Sequence, residues 1–260
     1  MTSDESATGT PSLRRRRRAV AVGEILTAAE CHIVEHGPAA LSLRAVARSL
    51  AMTVQALYHY FPSRDHLVTA LVTKAYDDLA DAVQAAVDSA PDDTVVPRLV
   101  LAAEGYRGWA NANPERFQLI YGTPLRHYEA PVEGPTTQAL RRMSAIFRHE
   151  LFGEFSTAQL AAADTPELSS SLQAHLEHLP PDALGSLPPP AASLFLSAWG
   201  HMHGLVVLEV FGHTAFIGAH QAEVFRAAMR NMLEDVHSRI PTGRISGEAW
   251  CESRGTAPPI

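Results

Sequence analysis

Five consecutive arginines, Arg14, Arg15, Arg16, Arg17 and Arg18, carry the densest positive charge in the chain. A run of this kind suits an arm that follows DNA phosphates or enters a minor groove, with a solvated flexible tail as the alternative. A second set of chemistry-bearing residues lies within 42–61, SLRAVARSLAMTVQALYHYF. Ser42 and Thr53 each stand where an N-cap would open a short helix. The first helix buries Leu43, Val46, Ala47 and Leu50. The second buries Val54 or Leu57 and Phe61, and its other side shows Gln55, Tyr58 and His59. In a DNA major groove an amide can read adenine edges and apolar atoms can read thymine methyls. Hydroxyls, histidine and arginine can hold phosphates. Two short helices joined by the tight Ala51-Met52 connection have the layout of a helix-turn-helix. An ordinary helical hairpin in a bundle core fits the same spacing.

Other chemistries find little support. There is no GxSxG, no glycine-rich phosphate loop and no HExxH, so no catalytic residue is assigned and an enzyme is not expected. The thirteen histidines include His175 and His178 at i, i+3 and a dense His201-Met202-His203. Glu209 and His213 are spaced i, i+4. These could place two ligands on one helical face, but no set of three or four emerges. Metal sensing therefore stays as the alternative, with no metal or other cofactor expected. Cys31 and Cys251 are far apart and form no redox or metal motif, which points to a reducing, cytoplasmic setting.

The elements that must position these residues are helical almost throughout. The chain has 260 residues and a mass of 28.1 kDa, is 46% hydrophobic and 19% charged, and so has ample material for a core. Its apolar stretches break before 18 residues, so no membrane-spanning helix and no membrane partner are expected. No secretory signal is expected at the start of the chain. The net charge of −7 is unevenly spread. Residues 1–76 hold nine Lys/Arg against six Asp/Glu, whereas 77–260 hold twelve against twenty-two. A basic head on an acidic body suggests that one end meets a polyanion. Helices are expected at about 19–36, 42–50, 54–61, 64–89, 95–112, 115–122, 136–154, 169–178, 191–212 and 219–238. The organisation expected is a tail at 1–13, a head at 14–76, a larger helical domain at 77–240 and a tail at 241–260.

The stretch ALSLRAVARSLAMTVQALYHYFPSRDHLVTAL resembles the N-terminal DNA-binding domain of the TetR family of regulators. The features that carry the likeness are Gly37, Ser42-Leu43-Arg44, Ala47 to Thr53, Leu57-Tyr58-His59-Tyr60-Phe61, and Arg64 with Leu67. They cover about residues 19–75. Ala51 and Met52 depart from the Gly and Val that are usual there, and Ala51 would need a left-handed backbone. The resemblance implies that Arg44, Gln55 and Tyr58 face base edges. It places Ser42, Thr53, His59, Tyr60 and Arg64 near phosphates. It also implies an all-α fold, with a three-helix helix-turn-helix head followed by a larger helical bundle that binds an effector and dimerises.

Residues 106–122 and 198–213 are similar to a TetR subgroup with a Trp-His-Gly-type motif, here Trp199, His203 and Gly204. The resemblance implies a pocket between the middle helices and helix 191–212. Its candidates are Tyr106, Trp109, Phe117, Tyr121, Met143, Phe147, Trp199 and His203, a set that suits a small apolar or aromatic effector. Helices 191–212 and 219–238 would form the homodimer interface, with Phe225 and Met229 as candidates to face the partner. The implied function is that of a repressor released from a palindromic double-stranded DNA operator. Residues 155–190 resemble nothing placed.

Overall fold

The computed structural model of the chain describes residues 13–91, 95–122, 128 and 133–242. The expected tails, 1–13 and 241–260, fall almost wholly outside these residues. The described residues form eleven α-helices and no strand, which bears out the all-α expectation. The helices are α1 Leu13–His36, α2 Leu43–Ser49, α3 Val54–Tyr58, α4 Arg64–Asp88, α5 Arg98–Ala112 and α6 Pro114–Tyr121. They continue as α7 Pro135–Phe152, α8 Thr157–Ala161, α9 Ser170–Glu177, α10 Pro189–Val210 and α11 Gln221–Ser238. The chain forms two compact units, one of residues 1–81 with 108–143 and the other of 82–107 with 144–260. The first unit is larger than the expected head, because it also holds α6 and the first half of α7.

In the first unit, α1 buries Ile25, Ala29 and Ile33, a stripe at i, i+4, i+8. It stops at Gly37, whose φ of 78° a residue with a Cβ adopts only under strain, and Pro38 follows. α2 packs against it and buries Leu43, Val46 and Ala47, and α3 packs against α2 and buries Leu57. Thr53 caps α3, its hydroxyl accepting from the Ala56 N–H at 3.1 Å. Ser42 holds the N-cap position of α2 but its side chain makes no capping bond, which corrects that expectation. Ala51 does take a left-handed backbone, with φ 52°. α4 then buries Leu67, Leu71, Tyr76, Leu79 and, further along the same helix, Val83.

The arginine run corrects a further expectation. α1 begins at Leu13, so Arg14, Arg15, Arg16, Arg17 and Arg18 form its first turns and are not an arm ahead of it. Nothing between Leu13 and Ala19 breaks a helix, and arginine is among the better helix formers.

In the second unit, α10 is flanked by α11, α8 and α9. It buries Leu194, Phe195, Ala198, Met202 and Val206, and α11 buries Phe225, Met229, Met232, Leu233 and Val236. Gly105 allows close approach here: a Cβ at that position would lie 2.7 Å from the Ala86 Cβ and 3.0 Å from the Ala82 carbonyl oxygen. Residues 155–190, unplaced by sequence apart from the helix at 169–178, supply α8 behind a capping box of Ser156 and Gln159, then α9 and a π-helical turn at Pro181–Gly185. α10 also revises the membrane expectation. At 22 residues, with an 18-residue stretch of mean hydropathy 1.3, it is long and apolar enough to cross a membrane by length and composition. Its serines and histidines interrupt every apolar run, but its many leucines and valines keep the average high. A core helix passes the same test, and the seven buried side chains of α10 are those of a core helix.

Candidate nucleic-acid interface and effector region

The helix-turn-helix presents one polar face. Arg44 on α2 and Gln55 and Tyr58 on α3 are exposed, with Thr53 and His59 beside them. Tyr58 keeps 42% of its surface open, which leaves its ring and hydroxyl available to a partner. Leu57 is fully buried one residue earlier, so the five-residue α3 is anchored by one side and reads outward with the other. Ser42 and Tyr60 are half-buried. Arg48, exposed and four residues after Arg44, belongs to the same face of α2. The i, i+4 spacing of the two arginines was the signal that could have added it to the expected set.

Two expected phosphate ligands have structural work as well. The Arg64 Nε–H donates to the Leu41 carbonyl at 3.2 Å, tying the start of α4 to the turn before α2. Arg18 donates from Nη1 to the His59 carbonyl at 3.3 Å, and its guanidinium lies 5.3 Å from the centre of the Tyr60 ring. Arg14, Arg15, Arg16 and Arg17 are exposed on the same helix, so their charges sit on a rigid surface where a loose arm was expected.

The eight expected effector residues divide four and four between the units. Trp109, Phe117, Tyr121 and Met143 belong to the first. There Phe117 and Met143 are fully buried, and the Phe117 and Tyr121 rings lie 5.1 Å apart. Tyr121 also meets Tyr76 edge-on at 5.7 Å. Burial pushes the Tyr76 hydroxyl up to about 12, against the opposing hydrogen bond from Tyr121. Trp109 carries the Arg116 guanidinium 5.3 Å from its ring. Arg116 in turn pairs with Glu30 at 3.3 Å and with Asp78, and Lys74 pairs with Glu30 at 3.1 Å and Asp78 at 2.7 Å. Burial alone would raise the Asp78 carboxyl, but hydrogen bonds from Lys74 and Arg116 bring it below the usual carboxylate range. Lys74, the single lysine, is raised: burial opposes its charge and the bonds to Asp78 and Glu30 outweigh that.

Tyr106, Phe147, Trp199 and His203 come together in the second unit. The Trp199 and His203 rings stack at 5.8 Å and 7°. Tyr106 lies 5.6 Å from Trp199 and 6.1 Å from Phe147, edge-on to both, and its hydroxyl is 2.8 Å from His203 Nδ1. Burial lowers the His203 pKa, so the neutral imidazole is favoured at pH 7, and it shares one hydrogen bond with the phenol at Nδ1. Beside the cluster, Phe147, Trp199, Phe195, Met202 and Met232 line a cavity of about 20 Å³. That volume holds one water, whereas ligand pockets run to hundreds of Å³. The larger groove, about 740 Å³, follows α4 in the first unit. Asp65, Asp77, Asp78, Lys74, Thr69 and Thr73 line it together with Ala70 and Pro135, and the surface that these residues turn to it is more apolar than polar. Glu209, one of the paired metal-ligand candidates, is engaged by Arg107.

Known proteins fit this arrangement. Residues 99–232, half of the chain, match the family described as tetracyclin repressor-like, C-terminal domain. Residues 25–71 match bacterial regulatory proteins, tetR family. Over 134 residues the chain is 40% identical to the HTH-type transcriptional regulators Rv1816 of Mycobacterium tuberculosis and Mb1846 of Mycobacterium bovis. That alignment covers 52% of this chain and 57% of each relative, so the chain spans little more than half the length of the curated relatives it matches. The crystal structure of SCO4313, named as a candidate regulatory protein, matches with a TM-score of 0.66 and 32% identity, over 86% of this chain and 100% of that one. A tetR-family transcriptional regulator from Streptomyces coelicolor matches over 87% and 90% with a TM-score of 0.51 and 16% identity, a likeness of fold alone. One family model covers the helix-turn-helix and the other covers half of the chain beyond it, and the chain belongs to the TetR family of bacterial transcriptional regulators.

Proposed function

We propose that the protein is a repressor that binds a palindromic DNA operator as a homodimer and leaves it when a small apolar or aromatic effector binds. The observation that carries this reading is the outward face of α2 and α3, where Arg44, Arg48, Gln55 and Tyr58 stand exposed on a helix-turn-helix anchored by Leu57. Residues 14–76 serve as the DNA-binding part and 77–240 as the effector and dimerisation part, acting in the cytoplasm. Two heads related by a two-fold axis meet successive major grooves about one helical turn apart.

The dimer is supported by apolar surface left open on the second unit. Leu196, Leu208 and Phe211 on and after α10 and Val224 on α11 are each 42–49% exposed. Phe225 and Met229, the earlier candidates to face a partner, are buried in their own unit instead. The effector reading rests on the aromatic cluster around Trp199. Its cavity is too small for a ligand of ordinary size, so binding there displaces side chains, with flexible Met202 and Met232 the first to yield. α4 is one unbroken helix from Arg64 to Asp88, a rod whose far end moves when its near end is displaced. A hundredfold preference of the effector for the released state supplies about 2.7 kcal/mol.

The test is selection of duplexes from a random-sequence pool by the full-length protein. A palindromic consensus supports the reading. Recovery of no preferred sequence would falsify it.

A further inference from the structure

We infer that Arg18 is a positioning residue that fixes the end of α3 from outside, and that it acts on sequence preference and not on phosphate attraction. The inference rests on the DNA-binding reading above and deepens it. α3 has five residues, too few to be stable alone. Its last carbonyls have no partner within the helix and carry the negative end of its dipole. Thr53 closes the N-terminal end with its own hydroxyl. At the other end the C-cap is His59, and its carbonyl accepts from Arg18 Nη1 at 3.3 Å.

The same guanidinium lies 5.3 Å from the centre of the Tyr60 ring, so a planar cation spans the last two residues that set the α3 exit. Its position on α1 makes this possible. Arg18 is seven residues before Ile25 and therefore on the face that carries Ile25, Ala29 and Ile33 into the core. The buried stripe of α1 thus ends in a charge aimed at the reading helix. Because α1 is helical from Leu13, that charge is held on a rigid element and not on a loose arm. Exposed Gln55 and Tyr58 ride on the helix whose end Arg18 fixes.

The experiment uses the full-length protein and a duplex selected from random-sequence DNA by the wild type. Affinity for that duplex and for an unrelated one is measured across a salt series for wild type, Arg18→Ala and Arg18→Lys. Amide hydrogen exchange of residues 58–60 is followed in the free protein. Arg18→Ala should lower the preference for the selected duplex on the order of ten- to a hundredfold, since a charged hydrogen bond is lost in each head. The dependence of log affinity on log salt should keep its slope, and exchange at 58–60 should speed up while α2 stays protected. Arg18→Lys, which keeps a donor but not the planar stack, should fall between. If Arg18→Ala unfolds the whole head, the lysine variant carries the same comparison at smaller amplitude. An equal loss on both duplexes with a slope shallower by about 1 per head would make Arg18 a phosphate contact and overturn the inference. Unchanged exchange at 58–60 would overturn it too, and that readout needs no DNA, so it stands apart from any failure of the DNA-binding reading.

Discussion

The phenol oxygen of Tyr106 and Nδ1 of His203 lie 2.8 Å apart, joining α5 to α10 inside the aromatic cluster of the second unit. Tyr106 is fully buried. Tyr106→Phe removes the hydroxyl and with it this hydrogen bond to Nδ1, at a cost of about 1–3 kcal/mol. Thermal unfolding should show it as a lower midpoint with operator affinity nearly unchanged. A midpoint equal to wild type would mean that the bond contributes nothing net.

The same pair sets a pH dependence. The folded-state pKa of His203 is lowered by burial, so the unfolded chain binds its proton more readily. Stability from this group is therefore complete above its ordinary value of 6.5 and is lost as pH falls through the folded value. Wild type should lose more stability than His203→Phe between neutral pH and pH values below that point. Parallel curves for the two proteins would show that other histidines carry the effect.

Arg44, Arg48 and Tyr58 should separate by role. Tyr58→Ala or Arg44→Ala should cost about 1–3 kcal/mol of operator binding and relax base preference. Arg48→Ala should weaken binding to all sequences alike and reduce the salt slope by about 1 per head. Titrations at several salt concentrations distinguish the two patterns.

Dimerisation should respond to surface and core residues differently. Leu208→Glu and Val224→Arg place charge on exposed apolar positions and should shift sedimentation toward monomer with the fold intact. Phe225→Glu and Met229→Glu place charge in the unit's own core and should unfold it. A dimer that survives both surface changes would remove α10 and α11 from the interface.

The charge group of Glu30, Lys74, Asp78 and Arg116 joins α1, α4 and α6. Arg116→Ala leaves Asp78 and Glu30 with Lys74 alone and should destabilise the first unit. Because the Asp78 carboxyl is lowered, its contribution is complete above 3.8 and lost below it, and the variant should lose that acid-sensitive part. Acid unfolding curves for the two proteins make the comparison.

Features that depend on near neighbours along the chain were legible in the sequence. Periodicity placed the long helices to within a few residues except at the start of α1, the spacing from Ser42 to Phe61 pointed to the helix-turn-helix, and the buried stripe of α4 followed from its repeat. The left-handed backbone of Ala51 was legible through the family resemblance, in which Gly is usual at that place. Tertiary structure decided what depends on partners distant in sequence. The charge density of Arg14, Arg15, Arg16, Arg17 and Arg18 suggests an arm, but it says nothing of where a helix begins, and Arg18 finds His59 41 residues away. Phe225 and Met229 share an apolar stripe with residues that cover the core, and one sequence cannot divide such a stripe between own core and partner. The aromatic set expected to form one pocket came out as two groups of four, because helical spacing shows which side chains share a face and not which neighbours fill the space before them.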